Sequence, residues 1–279
     1  MEMCFGIVGG DRRQAELARL LMADGHTVCS CGLKVWDAPG EGALESALNA
    51  DVVILPLPLC KEEGVLNCEG CALTTEELFR RLLPEQRILA GQVMPQQQNE
   101  AQEFGLVLED YFLREELAVA NAAATAEAAV RVAMEHVERA LLGMDCLVLG
   151  FGRIGKLLSH RLAGMGARVT ATARKPEDLA WIRAYGFRAE ETMDLDGKLG
   201  RYGVIFNTVP HPVLGARLLE QLNPGCLCVD LASKQGIDLA AAEAMGISNL
   251  WARALPGRFL PCTAAEAIRD AVYYMLSEG

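Results

Sequence analysis

No apolar run in this sequence approaches the roughly 20 residues that a membrane span requires. Its start, Met1-Glu2-Met3-Cys4-Phe5-Gly6-Ile7-Val8, has neither the basic stretch nor the long apolar core of a secretory signal. Cations are the minority charge, 26 Lys and Arg against 37 Asp and Glu, giving a net charge of -11. Such a chain repels nucleic-acid phosphates and anionic membrane surfaces, so neither is expected as a partner. Histidines number only four, His26, His136, His160 and His211, and they are scattered. Cys60, Cys68 and Cys71 gather three thiols, but there is no second Cys-x-x-Cys and no paired histidine motif to complete a tetrahedral site, so no metal is expected. The ten cysteines then read as reduced thiols of a cytoplasmic protein.

What is present is a rhythm of short apolar runs alternating with helical stretches. Met3–Val8, His26–Cys29, Ala50–Leu55, Arg87–Ala90 and Gly105–Leu108 read as strands of a first unit. Ala118–Leu142 contains no Pro or Gly and predicts one long helix, with Asn121 or Thr125 as its cap and Gly143 as its stop. Cys146–Leu149, Arg168–Thr172, Gly203–Thr208, Gly225–Asp230 and Ser248–Trp251 are strands of a second unit, and Ala264–Leu276 is a closing helix. The fold class expected is α/β: two Rossmann-like parallel-sheet domains linked by a long helix. The divisions are 1–120, a flavodoxin-like substrate or partner domain; 121–143, the linking helix; and 144–279, a dinucleotide-binding domain that includes the closing helix.

One turn carries the chemistry. Gly150-Phe151-Gly152-Arg153-Ile154-Gly155 follows an apolar strand and opens a helix, the setting the dinucleotide fingerprint needs. Gly150 permits the tight turn, Gly152 admits the pyrophosphate, and Gly155 lets the helix pack close to the strand. The next strand ends in Arg174-Lys175 and offers no carboxylate for a ribose 2′-hydroxyl. Those two cations, with the Thr172 hydroxyl, favour the 2′-phosphate of NADP(H) over NAD(H). Thr208, Val209 and Pro210 end one strand and Ser233 and Lys234 end another, where the nicotinamide of such folds lies. Gly10, Asp11, Arg12 and Arg13 form a second glycine turn. It lacks the third glycine and suits a carboxylate-bearing substrate instead.

Taken in order, Gly9-Gly10-Asp11-Arg12-Arg13, Ile54-Leu55-Pro56-Leu57-Pro58, Asn121 with Thr125-Ala126-Glu127, the Gly150 turn, Phe206-Asn207-Thr208-Val209-Pro210, Asp230-Leu231-Ala232-Ser233-Lys234 and Ala254-Leu255-Pro256-Gly257-Arg258 run the length of the chain. This series resembles the dipicolinate synthase A-subunit family of spore-forming bacteria, whose architecture is similar to that of the D-2-hydroxyacid dehydrogenases. The resemblance implies NADP-linked oxidation, acting on a CH–CH bond, of a dihydrodipicolinate-type precursor to pyridine-2,6-dicarboxylate during sporulation, in the mother-cell cytoplasm. It also implies, for a partner, a flavoprotein-like B subunit; a homo-oligomer is a further possibility. The chain departs from the family pattern at Arg258, where a Lys is expected after Pro-Gly, at Ala265, where a Gly is expected nearby, and at Ala124, where a Pro is expected.

Such an oxidation needs a hydride acceptor, a proton acceptor and cations for two carboxylates. Arg12, Arg13, Lys234 and Arg258 are the candidate cations. Glu127, His211, Lys234 or solvent are the candidate proton acceptors, and spacing does not choose among them. No histidine follows His211, so the late His–carboxylate pair of a 2-hydroxyacid dehydrogenase is hard to build, although that reading stays open. A cofactor-binding subunit inactive without its partner is the other alternative.

Overall fold

Runs rich in Val, Ile, Leu and Cys form strands buried on both faces, as a parallel sheet covered by helices requires. The computed structural model describes residues 2–69 and 71–278. In the first unit β1 (Cys4–Val8), β2 (Thr27–Cys31) and β3 (Val52–Ile54) are followed by a small antiparallel pair, β4 (Cys60–Glu62) and β5 (Val65–Leu66), then by β6 (Arg87–Ala90) and β7 (Leu108–Asp110). The parallel sheet runs β2-β1-β3-β6-β7, the flavodoxin-like order. In the second unit β8 (Asp145–Leu149), β9 (Arg168–Ala173), β10 (Arg188–Glu191), β11 (Val204–Asn207), β12 (Leu227–Asp230) and β13 (Ser248–Trp251) form a sheet ordered β10-β9-β8-β11-β12-β13. Renumbered within the sheet this is 3-2-1-4-5-6, the dinucleotide-binding order, with its switch point between β8 and β11. Both domains are Rossmann-like.

Register sets the site. Leu149 lies opposite Thr172 on one side and Asn207 on the other, Asn207 opposite Asp230, and Asp230 opposite Trp251. One rung at the carboxyl ends of five strands therefore delivers the chain into the Gly150 turn and the loops that begin at Thr208 and Leu231.

Three expectations change. The chain divides into Met1–Asn121 with Pro256–Gly279, and Ala122–Leu255, so the closing helix belongs with the first unit and not with the dinucleotide domain. That helix, Pro261–Ser277, buries Ala265, Ile268, Ala271, Val272 and Met275 in the same apolar cluster as Phe5, Ile7, Leu17 and Leu21. The small residues let it lie close to the helix Arg12–Ala23, and Arg114 on the same unit grips its end through Glu278 at 2.6 Å. The long helix spans Glu115–His136, so Asn121 and Thr125 lie inside it and cap nothing. Glu115 and Glu116 in its first turn favour that earlier start. Nδ1 of His136 meets the Val132 carbonyl at 2.8 Å and helps close the last turn well before Gly143. By length and composition alone this helix is apolar enough to cross a membrane, yet 56 % of its most apolar window is buried within the protein.

The third change concerns thiols. Cys68 and Cys71 are joined as a disulfide, with Cα atoms 5.6 Å apart, whereas the other eight cysteines are free. Burial, aided by the Glu100 carboxylate, pushes the Cys60 thiol up to about 11. Among the described residues no group of three or more His, Cys, Asp or Glu is placed to hold a metal ion.

Replacing Ile268, 1 % exposed, with Ala should destabilise the first unit by about 2–4 kcal/mol, read by urea denaturation followed by far-UV circular dichroism. A loss below about 0.5 kcal/mol would mean that the helix is not seated in that core.

Candidate functional site

The two strand–turn–helix starts have one plan and opposite electrostatics. After β8, Gly150 turns with φ +94°, and a Cβ there would stand 2.6 Å from the Thr208 hydroxyl. Gly155 abuts the Gly150 carbonyl so closely that any side chain would collide with backbone. Gly152 caps the helix Arg153–Gly164 with no side chain to cover its first amides, and a Cβ placed on it would meet nothing within 4 Å. The helix start thus has no side-chain cap, and its partial positive charge lies beside the room left at Gly152, the requirement for holding a phosphate.

After β1, Gly9 and Gly10 turn with φ +68° and +107°, but the helix Arg12–Ala23 is already capped. The Asp11 carboxylate accepts from the Arg13 N–H at 2.9 Å, and the Gln14 side chain accepts from the Asp11 N–H at 3.1 Å. Asp11 also receives the Arg13 guanidinium in a two-pronged pair, at 2.9 and 2.8 Å, and the same guanidinium donates to the Leu57 carbonyl. The residue expected to be a substrate cation, Arg13, is therefore buried and neutralised, 6 % exposed. A carboxylate sits where a phosphate would bind. Gly257 lies against this pair: a Cβ on it would stand 2.9 Å from Nε of Arg13. Arg12 is exposed and pairs with Glu16, and Arg258 is exposed with its guanidinium 4.9 Å from the Phe259 ring centroid.

In the second unit Thr172 is fully buried. Its hydroxyl accepts from the Gly150 N–H at 3.2 Å and from Thr192 at 3.0 Å, so it shapes the turn and is not free for a ribose phosphate. Arg174 and Lys175 are exposed just past β9, and Glu177 stands 4.0 Å from the Lys175 amine. Phe151 is buried, under the Lys156 ammonium at 5.6 Å, while Arg153 is exposed and Ile154 half-buried. Thr208 donates its hydroxyl to the Leu149 carbonyl at 2.8 Å, which ties the loop carrying Val209 and Pro210 to the Gly150 turn.

The residues that reasoning from sequence missed are Asn207 and Asp230. Asp230, fully buried, accepts from the Asn207 amide at 2.9 Å and from the backbone N–H groups of Ala232, Gly236 and Ile237 at 3.0, 2.7 and 3.0 Å. Asn207 in turn holds both backbone groups of Val209, at 3.0 and 3.1 Å. Gly236 is packed against Asn207 and the Val209 and His211 carbonyls so tightly that no Cβ fits. This buried pair fixes the loop bearing Ser233 and Lys234, both exposed. Their signal in the sequence was a lone polar residue closing an apolar strand.

The candidate proton acceptors are not assembled. Glu127 is paired with Arg161 at 2.9 Å, His211 is exposed with its ring Nδ1 3.1 Å from the Pro212 carbonyl, and no hydrogen bond or ion pair among the described residues joins either to Lys234.

The family model for the N-terminal domain of the dipicolinate synthase A subunit matches residues 4–112. The NAD binding domain of D-isomer specific 2-hydroxyacid dehydrogenases matches residues 116–244. The chain is 29 % identical to the dipicolinate synthase A subunit of Bacillus subtilis (strain 168), over 98 % of its own length and 95 % of that protein's. This chain is similar to the dipicolinate synthase A subunit along its whole length. Crystal structures bearing that family's name overlay throughout. The Bacillus halodurans protein gives a TM-score of 0.88 at 26 % identity, covering 99 % of this chain and 98 % of that one. The Bacillus subtilis protein gives 0.86 at 27 %, covering 100 % and 97 %. The family is thus one of oxidoreductases built on a nicotinamide-dinucleotide domain, and the designation of an A subunit implies a second one. The open Gly152 helix start is the element of this chain that fits such a cofactor.

Asp230→Asn would present a donor to backbone donors and strand at least one. The variant should lose about 2–4 kcal/mol of stability in urea, at about 1–3 kcal/mol per buried group left unpaired. Stability equal to wild type would remove Asp230 as the anchor of the Lys234 loop.

Proposed function

We propose that this chain is an NADP-dependent oxidoreductase that converts a dihydrodipicolinate-type precursor to pyridine-2,6-dicarboxylate, acting on a CH–CH bond in the cytoplasm of a sporulating cell together with a flavoprotein-like B subunit. The observation that carries it is the uncapped helix start at Gly152 beside a strand end that offers Arg174 and Lys175 and no carboxylate. Gly150, Gly152 and Gly155 would seat the pyrophosphate, and Arg174 and Lys175 would face a 2′-phosphate, the guanidinium with its two-pronged donor geometry. When bound, the nicotinamide supplies a two-electron hydride acceptor. The protein then orients the substrate and neutralises its carboxylates while the proton passes to an acceptor.

The charge partners are now narrower than the sequence suggested. Arg13 is committed to Asp11 and Arg12 to Glu16. Of the candidate cations this leaves Arg258 on the first unit and Lys234 on the second, both exposed. We assign a substrate carboxylate to Lys234, on the loop that Asp230 holds and with Ser233 beside it. Arg258 stands next to Gly257, which rests on the Arg13–Asp11 pair of the first unit. Solvent is the proton acceptor that needs no rearrangement, because Glu127 is held by Arg161 and His211 by its own neighbour.

Titrating NADPH and NADH against wild type and Arg174→Asp tests the cofactor assignment. The preference for the phosphorylated cofactor should fall by about 1–3 kcal/mol with loss of a charge-assisted bond. An unchanged ratio rejects it. Turnover of the precursor by the purified chain, with and without the B subunit, separates a self-sufficient enzyme from a cofactor-carrying one that needs its partner. In the active assembly Lys234→Gln should raise KM at least tenfold with a smaller effect on kcat; a change in kcat alone would move Lys234 from binding to proton transfer.

A further inference from the structure

At the amino-terminal edge of the second sheet, the opposite strand ends from the Gly150 turn, arginines converge. A cavity of about 540 Å³ is lined by Arg139, Arg168 and Arg201, with Asp145, Asn223 and the backbone of Gly143. Asp145 and Arg168 open β8 and β9 in the same register rung, and Arg201 shortly precedes β11. Asp145 is the one carboxylate in the lining. It accepts from Arg168 at 2.6 Å and lies 3.7 Å from Arg188. Hydrogen bonding from Arg168, aided by the charges of Arg201 and Arg188, holds it below the usual carboxylate range.

Three guanidinium groups thus share the cavity with one carboxylate, and a fourth, Arg188, approaches that carboxylate from outside the lining, in a chain whose net charge is -11. That single carboxylate does not balance the cavity's positive charge. Arg201 makes no ion pair among the described residues; it donates to neutral oxygens, the Tyr202 hydroxyl at 3.1 Å and the Thr170 hydroxyl at 3.3 Å, and its guanidinium lies 5.0 Å from the Tyr202 ring centroid. Arg139 is exposed and makes no side-chain hydrogen bond or ion pair among the described residues. Asn223 uses its side-chain oxygen to accept the Gly225 N–H at 3.1 Å, which leaves its amide donors open. The lining is therefore rich in donors and in positive charge. Like charges gathered in one concavity repel unless an anion joins them, and the cavity lies within the size range of small-molecule sites.

We infer that this cavity binds a small phosphate-bearing polyanion, with Arg139 and Arg201 as the principal charge partners and Asn223 as a neutral donor. Guanidinium groups engage phosphate oxygens two at a time, which a cluster of ammonium groups would not. Arg168 is oriented by Asp145 and presents its remaining N–H groups. The site draws on no residue assigned to the dinucleotide and stands whether or not the cofactor assignment does.

Isothermal titration of the full chain with inorganic pyrophosphate tests this. Binding should weaken at least tenfold in Arg139→Glu and in Arg201→Glu, should fall as NaCl is raised, and should be retained in Arg174→Asp. Because Arg139 has no ion-pair or hydrogen-bond partner to lose among the described residues, Arg139→Glu should fold, and in phosphate-free buffer it should melt at or above the wild-type temperature. Equal pyrophosphate affinity in wild type and Arg139→Glu would overturn the site. So would pyrophosphate binding that saturating NADPH abolishes by competition, which would place the anion on the dinucleotide turn. Citrate or polyglutamate binding where pyrophosphate does not would overturn the phosphate class in favour of a carboxylate ligand or an acidic protein segment.

Discussion

The functional reading depends on the electrostatic state of two helix starts. A helix leaves its first amides unpaired, and something must meet them: water, a side chain or a ligand. At Asp11 a carboxylate from the chain itself does so and is neutralised in turn by Arg13. At Gly152 no side chain does. The same strand–turn–helix plan therefore yields a closed, self-satisfied start in the first unit and an open one in the second. Only the second has the unmet partial charge and backbone access that a diphosphate needs.

Around that open start the protein uses buried polar groups to fix loops that would otherwise wander. Thr172 pins the Gly150 turn, Thr208 ties the next loop to Leu149, and Asp230 with Asn207 gathers two loops at once. All belong to the strand ends around a single rung of the sheet or follow it directly. A buried carboxylate with one amide and three backbone N–H donors is satisfied, so its burial costs little, whereas removal of its charge would strand those donors. The exposed Lys234 inherits its position from this arrangement.

Much of this was legible in the sequence. The Gly150 fingerprint, the strand before it, the absence of a carboxylate at Arg174 and the alternation of strands and helices depend on local constraints: backbone conformation, strand burial and residue type at a turn. The polar edge strand Arg188–Glu191 was missed because its Arg-Ala-Glu-Glu sequence has no apolar face to announce it. The Asp110 end of β7 and the Cys60–Leu66 hairpin escaped for a similar reason, being short and only partly apolar. The closing helix was placed in the wrong unit because a buried stripe such as Ala265, Ile268 and Val272 tells that a helix packs, not against what.

Residue order was enough to set two parallel α/β sheets, the dinucleotide turn and the basic strand end beside it, because each follows from the conformational and chemical needs of residues adjacent in the chain. Folding in three dimensions was needed to settle that Arg13 is paired and buried, that Cys68 and Cys71 are joined, that Asp230 anchors the Lys234 loop, and that Arg139, Arg168 and Arg201 share a cavity. Those facts depend on which groups meet once the chain has turned and folded, and charge pairing and burial are properties of the neighbour, not of the residue.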